Sequence, residues 1–340
     1  MRATAFRSSS RKDTVRNLWC TPLLQALSAA IRSRYFYLGF PGPRASDVRE
    51  WRQLDLLGRV CAFEMASTDS DDELEWLTQL EESLAGILIP HNIPFDTHFG
   101  LLEQVMMRDV DLNGKAFVQN SLVTLYQLDF CHALTDASSP VFRLNLRYEA
   151  IRQLFIHQAR QLAEEKTRPF VIFLTVRDEI DTGSVDDLRG WVAGSADQPI
   201  VDDILSEMPL RQGDWKHPCH PILKPFVFHI LNGYLHGLNI RALFLPPIYY
   251  VGNDRDDHMV LFSALGTFDY MSSGEPRVLQ RLQEFQSVQG LELAGRDLRP
   301  LKRCRAETIR YSRSNALAEY VDTFRKDPIW ESVAREARGV

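Results

Sequence analysis

The chain has 340 residues, 45% of them apolar and 25% charged, with a mean hydropathy of −0.22. This composition excludes a disordered or fibrous chain and suits about two domains, or one large α/β domain with additions. A net charge of −6, from 39 basic and 45 acidic residues, excludes a uniformly basic nucleic-acid coat.

The charge is unevenly spread. Residues 1–36 carry seven basic side chains against one acid, and residues 296–340 carry eleven against seven, which leaves −16 on the segment between them. The pattern is an acidic body with basic ends. Five cysteines (Cys20, Cys61, Cys131, Cys219 and Cys304) lie far apart with no CxxC pair. That usage fits a reducing cytoplasm rather than a disulfide framework. No apolar run reaches the roughly 18 residues needed to cross a bilayer, so no membrane partner is expected.

In chain order, residues 1–17 read as a flexible basic tail before a helix at 18–33. The first strand is Tyr35–Leu38, closed by Gly39-Phe40-Pro41-Gly42-Pro43. A helix from Ala45 to Leu57 follows, with Val48, Trp51, Leu54 and Leu57 as its apolar stripe. The second strand, Arg59–Phe63, ends on Glu64. An acidic helix at 70–84 carries Leu74, Leu77, Leu80 and Leu84 on one face. A third strand is expected at Gly86–Pro90 and a helix at 95–107, while Val110–Val118 fits either state.

The fourth strand, Leu122–Leu128, ends in Asp129-Phe130-Cys131. A helix over Arg147–Lys166 leads to a fifth strand at Phe170–Val176. Residues 178–225 read as an insertion or cover, and Phe226–Leu238 as an apolar helix. Arg241–Tyr250 and His258–Thr267 form a late antiparallel hairpin, and 269–340 a helical C-terminal extension. Five β-then-α steps and a closing hairpin predict a Rossmann-like, mostly parallel sheet with helices on both faces, spanning 18–268.

Ligands of such sheets sit outside the carboxyl ends of the strands. The sequence puts the Gly39–Gly42 turn, Glu64, Asp129-Phe130 and Asp178 at those ends. Glycines let a backbone approach a ligand closely, and a helix N-terminus beyond them favours anionic groups. An acid at the end of the second strand suits ribose hydroxyls.

At the fourth strand the chain reads Gln127-Leu128-Asp129-Phe130. With the Gly turn, the strand-terminal Glu64 and the closing hairpin, this resembles the class I S-adenosylmethionine-dependent methyltransferases over roughly 35–268. In amino-methylating branches of that family the fourth strand ends in Asp/Asn-Pro-Pro-Tyr/Phe. The present tetrad keeps the polar start and the aromatic end without the prolines. The resemblance implies S-adenosylmethionine as cofactor, with Gly39, Pro41 and Gly42 beside its methionine part and Glu64 on its ribose. It implies Gln127, Asp129 and Phe130 at the methyl acceptor, a nucleic-acid amino group. The family's acid-then-GxGxG motif is replaced here by Leu38-Gly39-Phe40-Pro41-Gly42-Pro43. A catalytically degenerate interaction subunit is therefore the alternative.

Other chemistries have weaker patterns. A Mg²⁺-dependent nuclease or hydrolase would use Asp178, Glu179 and Asp181, or Asp202 and Asp203. Gly183-Ser184 and Gly194-Ser195 lack the second glycine of a nucleophile elbow. Cys131 and His132 are adjacent, so on a strand they point to opposite faces. His217, Cys219, His220, His229 and His236 lack the paired spacing of a zinc site, and no metal is expected. The basic segments 1–36 and 296–313 are the places where nucleic acid would bind, and a protein partner is the other expectation.

Overall fold

The computed structural model describes residues 10–31, 33–64, 71–117, 122–130, 146–164, 170–180, 198–206, 240–251, 258–268 and 309–310. It also describes single positions or short runs at 134, 185–186, 188–190, 193–194, 223, 226–227, 231 and 235. The helices are α1 (Ser10–Val15), α2 (Thr21–Ile31), α3 (Ser46–Gln53), α4 (Asp71–Leu88), α5 (Leu102–Arg108), α6 (Leu146–Glu164) and α7 (Gln198–Ser206). The strands are β1 (Tyr35–Gly39), β2 (Leu57–Glu64), β3 (Phe95–Phe99), β4 (Leu125–Asp129), β5 (Phe170–Arg177), β6 (Ile240–Val251), β7 (His258–Phe268) and β8 (Ile309–Arg310).

Strand order is β3-β2-β1-β4-β5-β7-β6-β8. β2 pairs parallel with β1 and β3, and β1 pairs parallel with β4, whereas β6 and β7 are antiparallel. This is the mostly parallel, Rossmann-like sheet with a late hairpin that the sequence predicts. The order 3-2-1-4-5 reverses between β1 and β4, and in open α/β sheets ligands bind beyond the carboxyl ends of the strands at such a reversal.

The chain divides into two compact units, Met1–Asp129 with Glu164–Leu174 and Arg313–Val340, and Phe130–Ala163 with Thr175–Ser312. The first holds β1 to β4. Its strands are nearly continuous apolar runs, as in sheets covered on both faces: Tyr35, Tyr37, Leu38, Val60, Ala62, Phe63, Leu125, Tyr126 and Leu128 are all buried. α4 buries Leu77, Leu80, Leu84, Ile87 and Leu88, a three- to four-residue stripe. It packs on α3, β2 and β3.

The third strand is a correction. Gly86–Pro90 is not a strand, because Ile87 and Leu88 continue the apolar face of α4 through its last turn. Pro90 falls in a 3₁₀ turn, Ile89–His91, that ends at Asn92 with φ 53°. The strand is instead Phe95–Phe99, inside the segment expected to be helical, and α5 follows it. Residues 109–117 fold back on its end. Asp111 accepts from the backbone of Phe99, Asn113 and Lys115 (3.2, 2.9 and 2.9 Å). The Lys115 ammonium donates to the Thr97 carbonyl on the outer side of β3 (2.9 Å), which covers an otherwise exposed strand edge.

The N-terminus is a second correction. Residues 10–31 are helical, with one wide π turn at Arg16–Cys20, so the expected tail gives way to structure from Ser10. Trp19, Leu23, Leu24 and Leu27 are buried, and Tyr35 donates its hydroxyl to the Leu24 carbonyl (2.8 Å).

In the second unit, β6 and β7 pair from Ile240↔Phe268 to Val251↔His258. The register shifts between Leu245 and Ile248, where Pro246 and Pro247 remove two ladder donors. Phe226, Val227, Leu231 and Leu235, within the apolar helix expected at 226–238, are buried helical positions, and Leu223, inside the segment expected as an insertion or cover, is another. The C-terminal extension lies outside the described residues except Ile309–Arg310, which pairs with β6 as a strand. No helix among the described residues is long and apolar enough to cross a membrane.

Two glycines test the packing with opposite signs. At Gly39 a Cβ would overlap the Gln127 carbonyl oxygen and come within 2.9 Å of the Tyr37 hydroxyl, whereas at Gly86 it would meet nothing within 4 Å. Gly39→Ala is therefore expected to destabilise by about 1–3 kcal/mol, as overpacking does. Gly86→Ala, on the exposed side of α4, is expected to stabilise by about 0.5–1 kcal/mol. Urea titrations of the two variants check both signs.

Candidate functional site

β1 runs between β2 and β4, and Gly39 is its last residue. Gly39 is in register with Ala62 on β2 and with Gln127 on β4. Glu64 lies two residues past Ala62, and Asp129 two residues past Gln127. Period-two alternation therefore puts each acid on the same sheet face as Gly39's partner. A glycine at the reversal of strand order is thus flanked by a carboxylate on either neighbouring strand.

Sterics already demand a glycine at 39, since β4 occupies the place of a Cβ. The Phe40 N–H donates to the Gln127 carbonyl (3.3 Å), extending the β1–β4 contact into the loop. Gly42 has a different reason. Its φ of +65° is the left-handed conformation that favours glycine, and its carbonyl accepts from Ala45 N–H (3.0 Å) as the chain enters α3. Pro41 lies inside that turn and is half-buried.

Glu64 is buried, and its carbonyl accepts from Gly100 N–H (3.0 Å). Asp129 is half-buried. Its Oδ2 takes an ion pair from the Lys12 ammonium at 2.9 Å, while Oδ1 is shielded from solvent and accepts no hydrogen bond among the described residues. Gln127 Oε1 is in the same condition. An unsatisfied buried oxygen costs about 1–3 kcal/mol, so these two acceptors at the end of one strand suit a donor-bearing group. Phe130, the next residue along, belongs to the second unit. There its ring is buried, its N–H donates to the Thr175 carbonyl (2.9 Å), and the Arg147 guanidinium lies 6.0 Å from the ring centroid.

Lys12 belongs to a set of polar groups that the sequence did not single out. Arg16 pairs with Asp13 and with Glu50 (3.0 Å to the latter), and Thr21 donates to Glu50 (2.7 Å). The Trp51 indole N–H donates to Thr21 Oγ1 (2.9 Å). Asp47 is buried in the first turn of α3, where it accepts from the Tyr37 hydroxyl and from Val48 N–H (2.8 Å each). Burial raises the Asp47 carboxyl above its ordinary range against the pull of Arg16, and burial together with Asp47 pushes the Tyr37 phenol well up. Asp47 therefore occupies the positive end of α3, the place where the sequence suggested an external anion. The only signal for it was an acid in the first turn after a Gly-Pro loop.

A second unforeseen group lies at the end of β3. His98 stacks on Phe63 (centroids 5.2 Å apart), meets Phe117 edge-on (5.5 Å), and has Nδ1 3.6 Å from Asp111 Oδ2. Burial, aided by Lys115, lowers its pKa. The thiols of Cys20 and Cys61 are buried and free. Burial raises both, Cys61 to about 12, so neither is a nucleophile.

The candidate ligands for other chemistry do not converge among the described residues. Glu179 is exposed beside Arg177 (3.9 Å) and Asp202 is exposed. Asp181, the Asp203 side chain, Cys131-His132 and the histidines from 217 to 236 lie outside the described residues. No group of three or more metal-ligating side chains occurs among those described.

No family model matches the sequence, and no curated protein matches it. Solved structures to which the chain is similar include the O-methyltransferase TomG of Streptomyces achromogenes, determined in complex with SAM. It is 12% identical, with TM-score 0.35 over 77% of this chain and 82% of that one. The methyltransferase domain of bacterial CtHen1 is 7% identical, with TM-score 0.37 over 75% of this chain and 98% of its own. A SAM-dependent methyltransferase of Agrobacterium tumefaciens is 9% identical, with TM-score 0.33 over 74% of this chain and 62% of that one.

His98 makes stability depend on pH in a known direction. The fold lowers its pKa, so as pH falls through about 6.5 the unfolded chain takes up a proton that the native chain refuses, and stability declines. His98→Phe keeps a ring between Phe63 and Phe117 and removes that titration. Its urea midpoint is expected to fall less than that of the unaltered chain between about pH 7 and 5.

Proposed function

We propose that the chain is an S-adenosylmethionine-binding, methyltransferase-like protein whose cofactor lies against the carboxyl ends of β2, β1 and β4. The observation that carries this reading is the register of Gly39 with Ala62 and Gln127, which sets Glu64 and Asp129 on either side of a glycine at the strand-order reversal. Glu64, Gln127 and Asp129 are acceptors, and they suit a ligand rich in hydroxyl and amino donors. Glu64 would accept from the ribose hydroxyls. The main chain of Gly39, Pro41 and Gly42 would border the methionine part, and Asp47, already seated at the start of α3, disfavours a second carboxylate there.

When bound, the cofactor supplies an electrophilic methyl group on a sulfonium. The protein's task is then chiefly placement of the acceptor. Asp129 Oδ1 and Gln127 Oε1 would accept the N–H bonds of an acceptor amine and aim its lone pair, while Lys12 holds Asp129 Oδ2 and so restricts the carboxylate's rotation.

Nucleic-acid amino groups are the acceptor class favoured by the basic segments 1–36 and 296–313. Within the first, Lys12, Arg16 and Arg34 hold carboxylates of their own chain, so phosphate contact would fall to that segment's other arginines. A cytoplasmic location belongs to the same proposal and rests on the sparse cysteines.

Isothermal calorimetry with S-adenosylmethionine and its demethylated product should give binding heat that Glu64→Ala abolishes without loss of the cooperative melt. Asp129→Asn should keep that heat and lose methyl transfer to an amine-bearing oligonucleotide. No heat with millimolar ligand would leave a non-catalytic interaction subunit as the correct reading.

A further inference from the structure

α3 and α4 leave an open groove between them on the first unit, away from Gly39, Glu64 and Asp129. It consists of two adjoining cavities of about 660 and 360 Å³ that share Arg49, Gln53 and Ser83. Arg44 and Arg49 are exposed and Arg52 half-buried. None of the three pairs with a carboxylate among the described residues, and the Nε of Arg52 is buried without an acceptor. By contrast Arg16, Arg34, Arg59, Arg177 and Arg189 each have a carboxylate within 4.0 Å. Within a segment of −16 overall, Arg44, Arg49 and Arg52 thus lie along one groove with no carboxylate partner among the described residues.

Two acids line the groove. Glu50 is already held by Arg16 and Thr21, and Glu82 is exposed on the α4 side. The groove therefore keeps a net positive face. Guanidinium groups bind carboxylates as planar forks, which gives direction as well as charge. No aromatic side chain lines either cavity, so there is no platform for stacked bases. Leu54, 41% exposed, lines the first cavity. Three cations beside an exposed leucine fit a chain that carries both carboxylates and aliphatic side chains.

We infer that the α3–α4 groove is a docking site for an acidic, leucine-containing peptide segment of a partner protein, with Arg44, Arg49 and Arg52 as its anchors. The inference does not depend on methyl transfer. Its test uses the full chain and fluorescence anisotropy of a labelled Glu- and Leu-containing peptide. A Gln-for-Glu version and a labelled single-stranded oligonucleotide serve as controls.

The Glu peptide should bind, more weakly as salt is raised, and the double substitution Arg49→Glu, Arg52→Glu should weaken it about tenfold or more. Lysine at the same two positions should restore part of the affinity, since it returns the charge without the fork. An unchanged thermal melt in the Glu variant excludes unfolding as the cause. Absence of binding, equal binding of the Gln peptide, equal binding by the Glu variant, or displacement of the peptide by the oligonucleotide would each overturn the inference.

Discussion

The contact on which the first unit depends is the close approach of β1 to β4 at Gly39 and Gln127. A side chain at 39 would occupy the space of the Gln127 carbonyl, so the two strands meet only because that residue has none. The same contact sets the register of Leu38 on Tyr126 and leaves Asp129 beyond the last residue of β1. It also lies where the strand order reverses, which in open α/β sheets is where a crevice forms. A packing requirement and the location of the candidate site thus have one origin. The glycine is explained by sterics, and its neighbours by chemistry.

A second dependence joins the N-terminal helices to the same strand ends. Two of the basic side chains that first suggested polyanion binding turn inward: Lys12 reaches Asp129 and Arg16 reaches Glu50 and Asp13. Exposed ion pairs add little to stability. These are half-buried and connect with a network through Thr21 and Trp51, so their contribution is chiefly to orient α1 and α2 over β1 and α3. Charge that reads as a surface property in the sequence acts here as an internal fastening. Arg44, Arg49 and Arg52, by contrast, have no carboxylate partner among the described residues and lie at α3, within the acidic part of the chain.

Much of the fold was legible because its strands are short apolar runs that stop abruptly at a polar residue. Glu64 and Asp129 mark the ends of β2 and β4 in the sequence as they do in space, and the hairpin of β6 and β7 was read to within about a residue or two at each end. The failure at Gly86–Pro90 has a specific cause. Four apolar or neutral residues beside a proline look alike whether they end a helix or form a strand, and only the continuing face of α4 distinguishes them. The true β3, Phe-Asp-Thr-His-Phe, carries three polar residues between its two phenylalanines, with Phe95, Asp96 and Thr97 half-buried and His98 and Phe99 buried, so it shows no apolar run or clean alternation. At the site, strand ends could be located but their long-range partners could not. Lys12 is 117 residues from Asp129, and nothing in local pattern links them. His98 and Asp111 were missed for the same reason, since Asp111 becomes visible only as the hub of the loop that folds back onto β3.

The central claim is positional: a donor-rich cofactor sits at the strand-order reversal, between Glu64 and Asp129. The most direct measurement is an amide nitrogen–proton correlation spectrum of the isotope-labelled chain titrated with S-adenosylhomocysteine. The account predicts that the shifts concentrate at Phe40, Gly42, Gly100 and Asp129, at the ends of β1, β2 and β4, and spare Arg49 and Gln53 on α3. Shifts confined to α3 and α4, or no shifts at saturating ligand, would contradict it.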